Sequence, residues 1–331
     1  MAASIDPRPG IAAAAMISST PLPDPAALAA ACADIASLAP RTAAAGPWHS
    51  GAFTALADHG LLAAFVPADC GGAAADEPTL LGLLAAVAER CLTTALALSQ
   101  WAAAVRILAQ GDDAVRHRFL PQLARGEGFT TVGISQLTTS RQHGGTPAVR
   151  GMPQGDWWQV EGCCPWVTGA DCCRSIVTGA VVPGGEPCFF VVASDAPGVD
   201  IAPPLPLLAL EGSRTTAVRL SGVRPLAVIR PRLNAAAEPG PAVRTGGLAT
   251  TALALGGARA SLAFLAAEAS NRSGLAAAVA GLTSEAEAIA GRLAAAAGDG
   301  IAPADRDRLR TDANSLVVRA AQAALTAAKG A

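Results

Sequence analysis

Apolar positions along the chain change period twice. From Asp24 they recur at helical spacing: Leu28, Cys32, Ile35 and Leu38 follow an Asp24-Pro25 pair that reads as an N-cap with proline at the first helical position. A second helix is predicted from Ser50 to His59, stopping at Gly60. Leu61, Leu62, Phe65 and Val66 then lead into the loop Pro67-Ala68-Asp69-Cys70-Gly71-Gly72. Residues 78–110 read as a long helical region, interrupted around Cys91-Leu92-Thr93-Thr94. They are apolar all round, which places them in the middle of a helical domain. Asp112 and Asp113 are set to cap one more short helix carrying Val115, Phe119 and Leu120, with a break expected at Pro121.

From Phe129 the period falls to two. Short β-rich runs at Thr130–Ser135, Trp157–Cys164, Ser175–Val182, Cys188–Ala193 and Thr215–Leu220 predict strands. Pro183-Gly184-Gly185 between two apolar runs marks a hairpin. The spacing fits a small antiparallel sheet or barrel of about 100 residues. Within it, Trp157 to Ala170 reads as strand, turn and strand, with its aromatic residues at the turn.

After Pro241 the helical period returns, in three series. These are Leu248, Ala252, Leu255 and Leu262; then Leu282, Ala286, Ile289 and Leu293; then Leu309, Leu316, Val317, Ala320 and Ala324. Their alanine-rich faces predict three close-packed antiparallel helices. A three-helix layer of this kind wants a fourth, so a truncated chain or a helix borrowed from a partner is expected. The fold class is α+β, mostly α. We expect a flexible tail over 1–24, an N-terminal helical domain over 25–128, a middle β domain over 129–238 and an incomplete C-terminal bundle over 239–331.

Composition narrows the function classes. The 331 residues carry a net charge of -2 and a single lysine, Lys329, so the basic face that nucleic acid requires is not expected. Eight cysteines include the neighbours Cys163-Cys164 and Cys172-Cys173 but no C-x-x-C pair, which argues against zinc and for reduced thiols used as small apolar residues. The N-terminus lacks the pattern of a secretory signal, and no run of about 20 residues is free of Gly, Pro and charge, so we expect a cytoplasmic protein without a membrane span. His49, His59, His117 and His143 lack ligand spacing, and no G-x-S-x-G elbow is present, which leaves hydrolase and metalloenzyme readings unsupported.

Four segments, in order, resemble the flavin-dependent acyl-CoA dehydrogenase family from about residue 26 onward. Gly60-Leu61-Leu62 leading to Val66-Pro67-Ala68-Asp69-Cys70-Gly71-Gly72 is similar to its "G-L … V-P-x-x-x-G-G" entry. Leu120-Pro121-Gln122-Leu123-Ala124-Arg125-Gly126-Glu127 is similar to "L-P-x-L-x-x-G-E", and Trp166-Val167-Thr168 to "W-I-T". Asn271-Arg272-Ser273-Gly274 is similar to "R-x-x-F-G" without its phenylalanine. The resemblance implies an FAD site. Trp166 would pack on the planar, electron-poor isoalloxazine, and the Thr168 hydroxyl would bond its N5/O4 edge, with Val167 between them. The bland alternative makes Trp166 a core tryptophan and Thr168 an ordinary strand residue. Backbone groups of Val132, Gly133, Ile134, Ser135 and Gln136 would hold the pyrimidine side, and Arg272 the pyrophosphate that favours FAD over FMN. The chain departs from the family where Gln136 replaces an acid and Leu137-Thr138-Thr139-Ser140 replaces "P-x-A-G-S-D".

For the reaction, the resemblance implies α,β-dehydrogenation of an acyl thioester by hydride transfer to flavin N5, with a place in fatty-acid metabolism. That chemistry needs a base for the α-proton. Leu248 to Gly257 contains no carboxylate, and Glu268, Glu285 and Glu287 read as helix surface charges, so no catalytic residue is assigned. Flavin-dependent monooxygenation on the same fold is the alternative, and a non-catalytic binding or assembly subunit the third reading. The partners implied are a small-molecule substrate such as acyl-CoA, an electron-acceptor protein or oxygen, and further copies of the chain in a homodimer or homotetramer.

Overall fold

Aspartates start three of the helices. Asp24 accepts from the Ala27 amide at 2.7 Å to open α1 (Pro25–Ala43), Asp76 caps α3 (Glu77–Arg90), and Asp112 caps α5 (Asp113–Ala124) at 2.8 Å. Between them lie α2 (Gly51–Asp58) and α4 (Leu92–Leu108). Cys91, in extended conformation, separates α3 from α4 as the sequence predicts. Pro121 does not break α5, which continues to Ala124 and is closed by Gly126 at φ 73°. An interior proline forfeits its own N–H bond and crowds the carbonyl four residues back, and burial of Phe119, Leu120 and Leu123 offsets that cost and carries the helix through it. The computed structural model describes residues 20–137, 147–230, 247–298 and 301–329. Of the expected 1–24 tail, Thr20 is held by bonds to the carbonyls of Gly71 and Gly72.

Eight strands follow: β1 (Thr130–Gly133), β2 (Val149–Gln154), β3 (Trp157–Val167), β4 (Ser175–Val181), β5 (Pro187–Ala193), β6 (Val199–Ile201), β7 (Thr216–Val223) and β8 (Ala227–Ile229). Their order is β6-β7-β3-β2-β4-β5-β8, with β1 on β4. The sheet is mixed, not antiparallel throughout: β1 and β2 both lie parallel to β4. β2, β6 and β8 escape sequence reading because they are short or polar at alternate positions. The hairpin at Pro183-Gly184-Gly185 forms as predicted, with both glycines at positive φ. Trp157 to Val167 is one strand rather than strand, turn and strand. Two register shifts against β7 absorb the irregularity, and at the first Gly162 lets the Ala148 carbonyl approach so closely that any Cβ would collide with it.

The C-terminal helices α6 (Leu248–Ala269), α7 (Ala276–Gly298) and α8 (Pro303–Lys329) bury most of the predicted apolar series, with Leu282, Val317 and Ala324 half-buried. α6 is central. A Cβ at Gly256 would lie 2.4 Å from the Ala85 carbonyl of α3, and one at Gly257 would touch Val317 of α8. Small residues therefore let α6 join the two helical groups backbone to backbone. By length and composition α6 could also cross a membrane, but half of its apolar window is buried inside the fold.

Candidate functional site

The ends of β1 and β3 meet at one corner of the sheet. Val167 is fully buried and packs on Gly133, where a Cβ would lie 3.3 Å from Val167 Cγ2 and 3.1 Å from Cys164 Sγ. Next to it Trp166 stands 53% exposed, and no aromatic or guanidinium group among the described residues packs on its ring. Thr168, just past the strand, is buried. Thus Gly133, Ile134, Ser135, Gln136, Trp166, Val167 and Thr168 fall in one place. Trp166 is not the core tryptophan of the bland alternative.

Gln136 has a specific task. β1 pairs with β4 as far as Gly133 opposite Thr178, and β2 reaches the same edge of β4 only at Val181. In the gap the buried Gln136 amide donates to the Gly179 carbonyl at 2.8 Å and to the Gly133 carbonyl at 2.9 Å. Thr178 Oγ1 donates to the same Gly133 oxygen at 3.0 Å, and Cys164 Sγ lies 3.1 Å from Thr178 Oγ1. Burial pushes the Cys164 thiol up to about 11, so it stays neutral. Facing two carbonyls, position 136 needs an N–H donor, and a carboxylate would repel both.

Behind Thr168 runs a chain of hydroxyls: Thr168 Oγ1 is 3.1 Å from Thr215 Oγ1, which is 2.8 Å from Ser213 Oγ. The Gly169 amide also donates to the Ser213 carbonyl at 2.9 Å. Arg214 closes the corner, donating to Asp171 from Nε at 2.8 Å and again from Nη2, and to the Gly46 carbonyl from Nη1. Burial works against the Asp171 carboxylate. The bonds from Arg214 and Cys172 outweigh it and hold its pKa below the ordinary value. Sequence reasoning missed Asp171, Ser213, Arg214 and Thr215. Their only trace is a short polar run before β7, and the partners lie more than 40 positions away.

Arg272 lies away from this corner in the chain. It follows α6, donates to the Ala327 carbonyl of α8 at 2.8 Å and pairs with Glu268 at 3.4 Å. Glu285 pairs with Arg319 across the helices, and Glu287 is exposed. Among the described residues, no three His, Cys, Asp or Glu side chains converge as metal ligands would.

Residues 26–127 match the family described as acyl-CoA dehydrogenase, N-terminal domain. The probable acyl-CoA dehydrogenase YngJ of Bacillus subtilis (strain 168) is 26% identical over 224 residues, which are 65% of this chain and 55% of YngJ. Over the N-terminal third, residues 26–127, the chain is similar to the acyl-CoA dehydrogenase family. The match to YngJ spans little more than half the length of this curated relative. Solved structures extend the likeness in fold to the sheet and the C-terminal helices. A glutaryl-CoA dehydrogenase from Mycobacterium smegmatis in complex with FADH2 superposes with a TM-score of 0.72 at 18% identity, covering 93% of this chain and 85% of that one. Dibenzothiophene monooxygenase (TdsC) from Paenibacillus sp. A11-2 superposes with a TM-score of 0.64 at 18% identity, covering 90% and 84%. The family fold therefore hosts dehydrogenation in one neighbour and monooxygenation in another. The residues of the candidate corner lie beyond 26–127, outside the family-model match.

Proposed function

We propose that this chain is a flavoprotein oxidoreductase acting on an acyl thioester, with the flavin held at the corner formed by Trp166, Val167, Thr168 and the Gly133–Gln136 backbone. The observation that carries the reading is Trp166, a large apolar ring exposed beside a buried hydroxyl at a sheet corner, which suits a planar heterocycle with polar edges. A bound flavin supplies a reversible two-electron acceptor. The protein's own part is to offer the indole face, present the Thr168 hydroxyl, and hold Gly133 to Gln136 rigid through the bonds of the Gln136 amide. The FADH2 of the glutaryl-CoA dehydrogenase supports FAD, and the FMN-bound form of TdsC makes FMN the other outcome. Arg272, with five donors and two nitrogens engaged, is the candidate for a pyrophosphate. In the same proposal a second copy covers Phe264, Val318 and Leu325, which are exposed on α6 and α8. The three-part division at about residues 128 and 238 belongs to it as well.

One observation favours monooxygenation as the second reading. Among the described residues the only carboxylate of α6 is Glu268, near its last turn and paired with Arg272. Asp171, beside Thr168 in sequence, is held ionised against Arg214 and is a weak base. Both carboxylates are thus engaged by arginines, and neither is a free base.

Visible absorption of the purified full chain, and calorimetry with FAD and with FMN, test the proposal. We expect a yellow protein, and Trp166→Ala to weaken flavin binding about tenfold or more, in line with the loss of one stacking face. A colourless protein that takes up neither flavin overturns it. Anaerobic bleaching by an acyl-CoA panel then supports dehydrogenation. Oxygen uptake driven by reduced flavin without such bleaching supports the second reading.

A further inference from the structure

The hydroxyl chain behind Thr168 has a direction. Thr168 and Thr215 are each 7% exposed and Ser213 is fully buried. Each hydroxyl owns one proton, so the Thr215 hydroxyl, 3.1 Å from Thr168 and 2.8 Å from Ser213, can donate to only one neighbour. If the protons run inward, from Thr168 to Thr215 to Ser213, the chain ends on a buried Ser213 O–H whose only hydrogen-bond partner among the described residues is Thr215 itself. If they run outward, Ser213 is left merely with unused lone pairs, the lesser penalty. The Thr168 proton is then free to face a ligand.

The backbone around Ser213 is built to keep it there. Leu210 and Arg214 flank its 3-10 turn at φ 63° and 49°, two of the three non-glycine residues with positive φ among the described residues. Such strain persists only where the surroundings fix it. Here Gly212 is pressed against the Thr42 carbonyl, the Ser213 carbonyl accepts from Gly169, and Arg214 reaches both Asp171 and Gly46. A strained turn pinned at three points thus carries the serine that begins the chain.

We infer that Ser213 and Thr215 are positioning residues that fix the Thr168 hydroxyl as a hydrogen-bond donor to a ligand seated on Trp166. The inference rests on the flavin reading for the identity of that ligand. Oxidised flavin presents acceptors along its N5/O4 edge, whereas the reduced ring carries a proton at N5. A fixed donor therefore favours the oxidised form.

The test uses the full-length protein reconstituted with flavin and reads its midpoint potential and absorption spectrum. Thr215→Val keeps the shape and removes the relay. We expect it to lower the preference for the oxidised form about tenfold, raising the two-electron midpoint by about 30 mV, with Thr215→Ser restoring the wild-type value. Lost packing would weaken both oxidation states alike and leave the potential in place. An unchanged potential and spectrum in flavin-loaded Thr215→Val overturns the inference alone. Should that variant fail to fold, Ser213→Ala, which removes the first donor, is expected to shift the potential in the same direction by less, and no shift overturns the inference. Failure of the wild-type chain to take up flavin overturns both the inference and the flavin reading.

Discussion

The two ends of β3 carry the same residue type in opposite circumstances. At its start, Trp157 lies under Arg224 at 5.5 Å, and Trp158 lies under Arg230 at 5.9 Å and against Phe190 at 5.6 Å. About 26 Å further along, by the rise of a strand, Trp166 has neither cation nor ring upon it among the described residues. A tryptophan at the first end stabilises the sheet, and the one at the second is the residue proposed to meet a flavin. What separates them is their surroundings. The guanidinium groups of Arg224 and Arg230 lie over the rings at the start of the strand, while β1 departs from β4 beside its end and leaves that corner to a side-chain amide.

That contrast can be broken at several places. The largest effect is expected from Gln136→Glu, which sets a buried carboxylate against the carbonyls of Gly133 and Gly179. We expect a loss of about 3–5 kcal/mol at pH 8, read from urea midpoints. The introduced group would have a raised folded-state pKa, so the penalty is absent at acid pH and grows as pH rises above about 4.3. A destabilisation independent of pH would show that the amide bonds are not what matters. Trp158→Ala, at the covered end, is expected to cost about 2–3 kcal/mol, because half-buried packing on Phe190 is lost.

Asp171→Asn is expected to cost about 1–2 kcal/mol at pH 7. The native carboxyl has a depressed pKa, so its contribution is complete above the unfolded value near 3.8 and disappears as pH falls through the folded one. Urea titrations at pH 7 and at pH 3 or below should therefore show the variant and native chains converging in acid. Trp166→Ala is the smallest, within about 0.5 kcal/mol in thermal or urea unfolding of the flavin-free protein. A cost like that of Trp158→Ala would erase the contrast between the two ends.

Periodicity made most of the helical framework legible. Asp24 and Asp112 act locally, on amides three residues ahead, so their caps can be read without knowing the fold, whereas sequence reasoning missed the like cap at Asp76. The apolar series on α6 and α8 announce their buried faces in the same way. Strands were less legible where pairing, not pattern, makes them: the three residues of β6 and of β8 exist because β7 and β5 supply partners. In the corner, Trp166 and Thr168 came from a three-residue motif. Ser213 and Thr215 did not, since only the approach of β7 to β3 brings their hydroxyls to Thr168. Gln136 was visible as a departure from the motif the chain resembles, but its surroundings, two carbonyls left by the spacing of β1 and β2 on β4, required the register.

The glycine at position 256 has a consequence for how the chain acquires its structure. Its contact with Ala85 joins segments about 170 residues apart, and this loop must close before the middle helices are fully covered. Until α6 has been synthesised and docked, the faces of α3 around Leu81, Ala85 and Ala88 remain open to solvent. Nascent chains that stop before residue 248 should therefore bind hydrophobic probes and aggregate, and solubility should appear only once the last helices are in place.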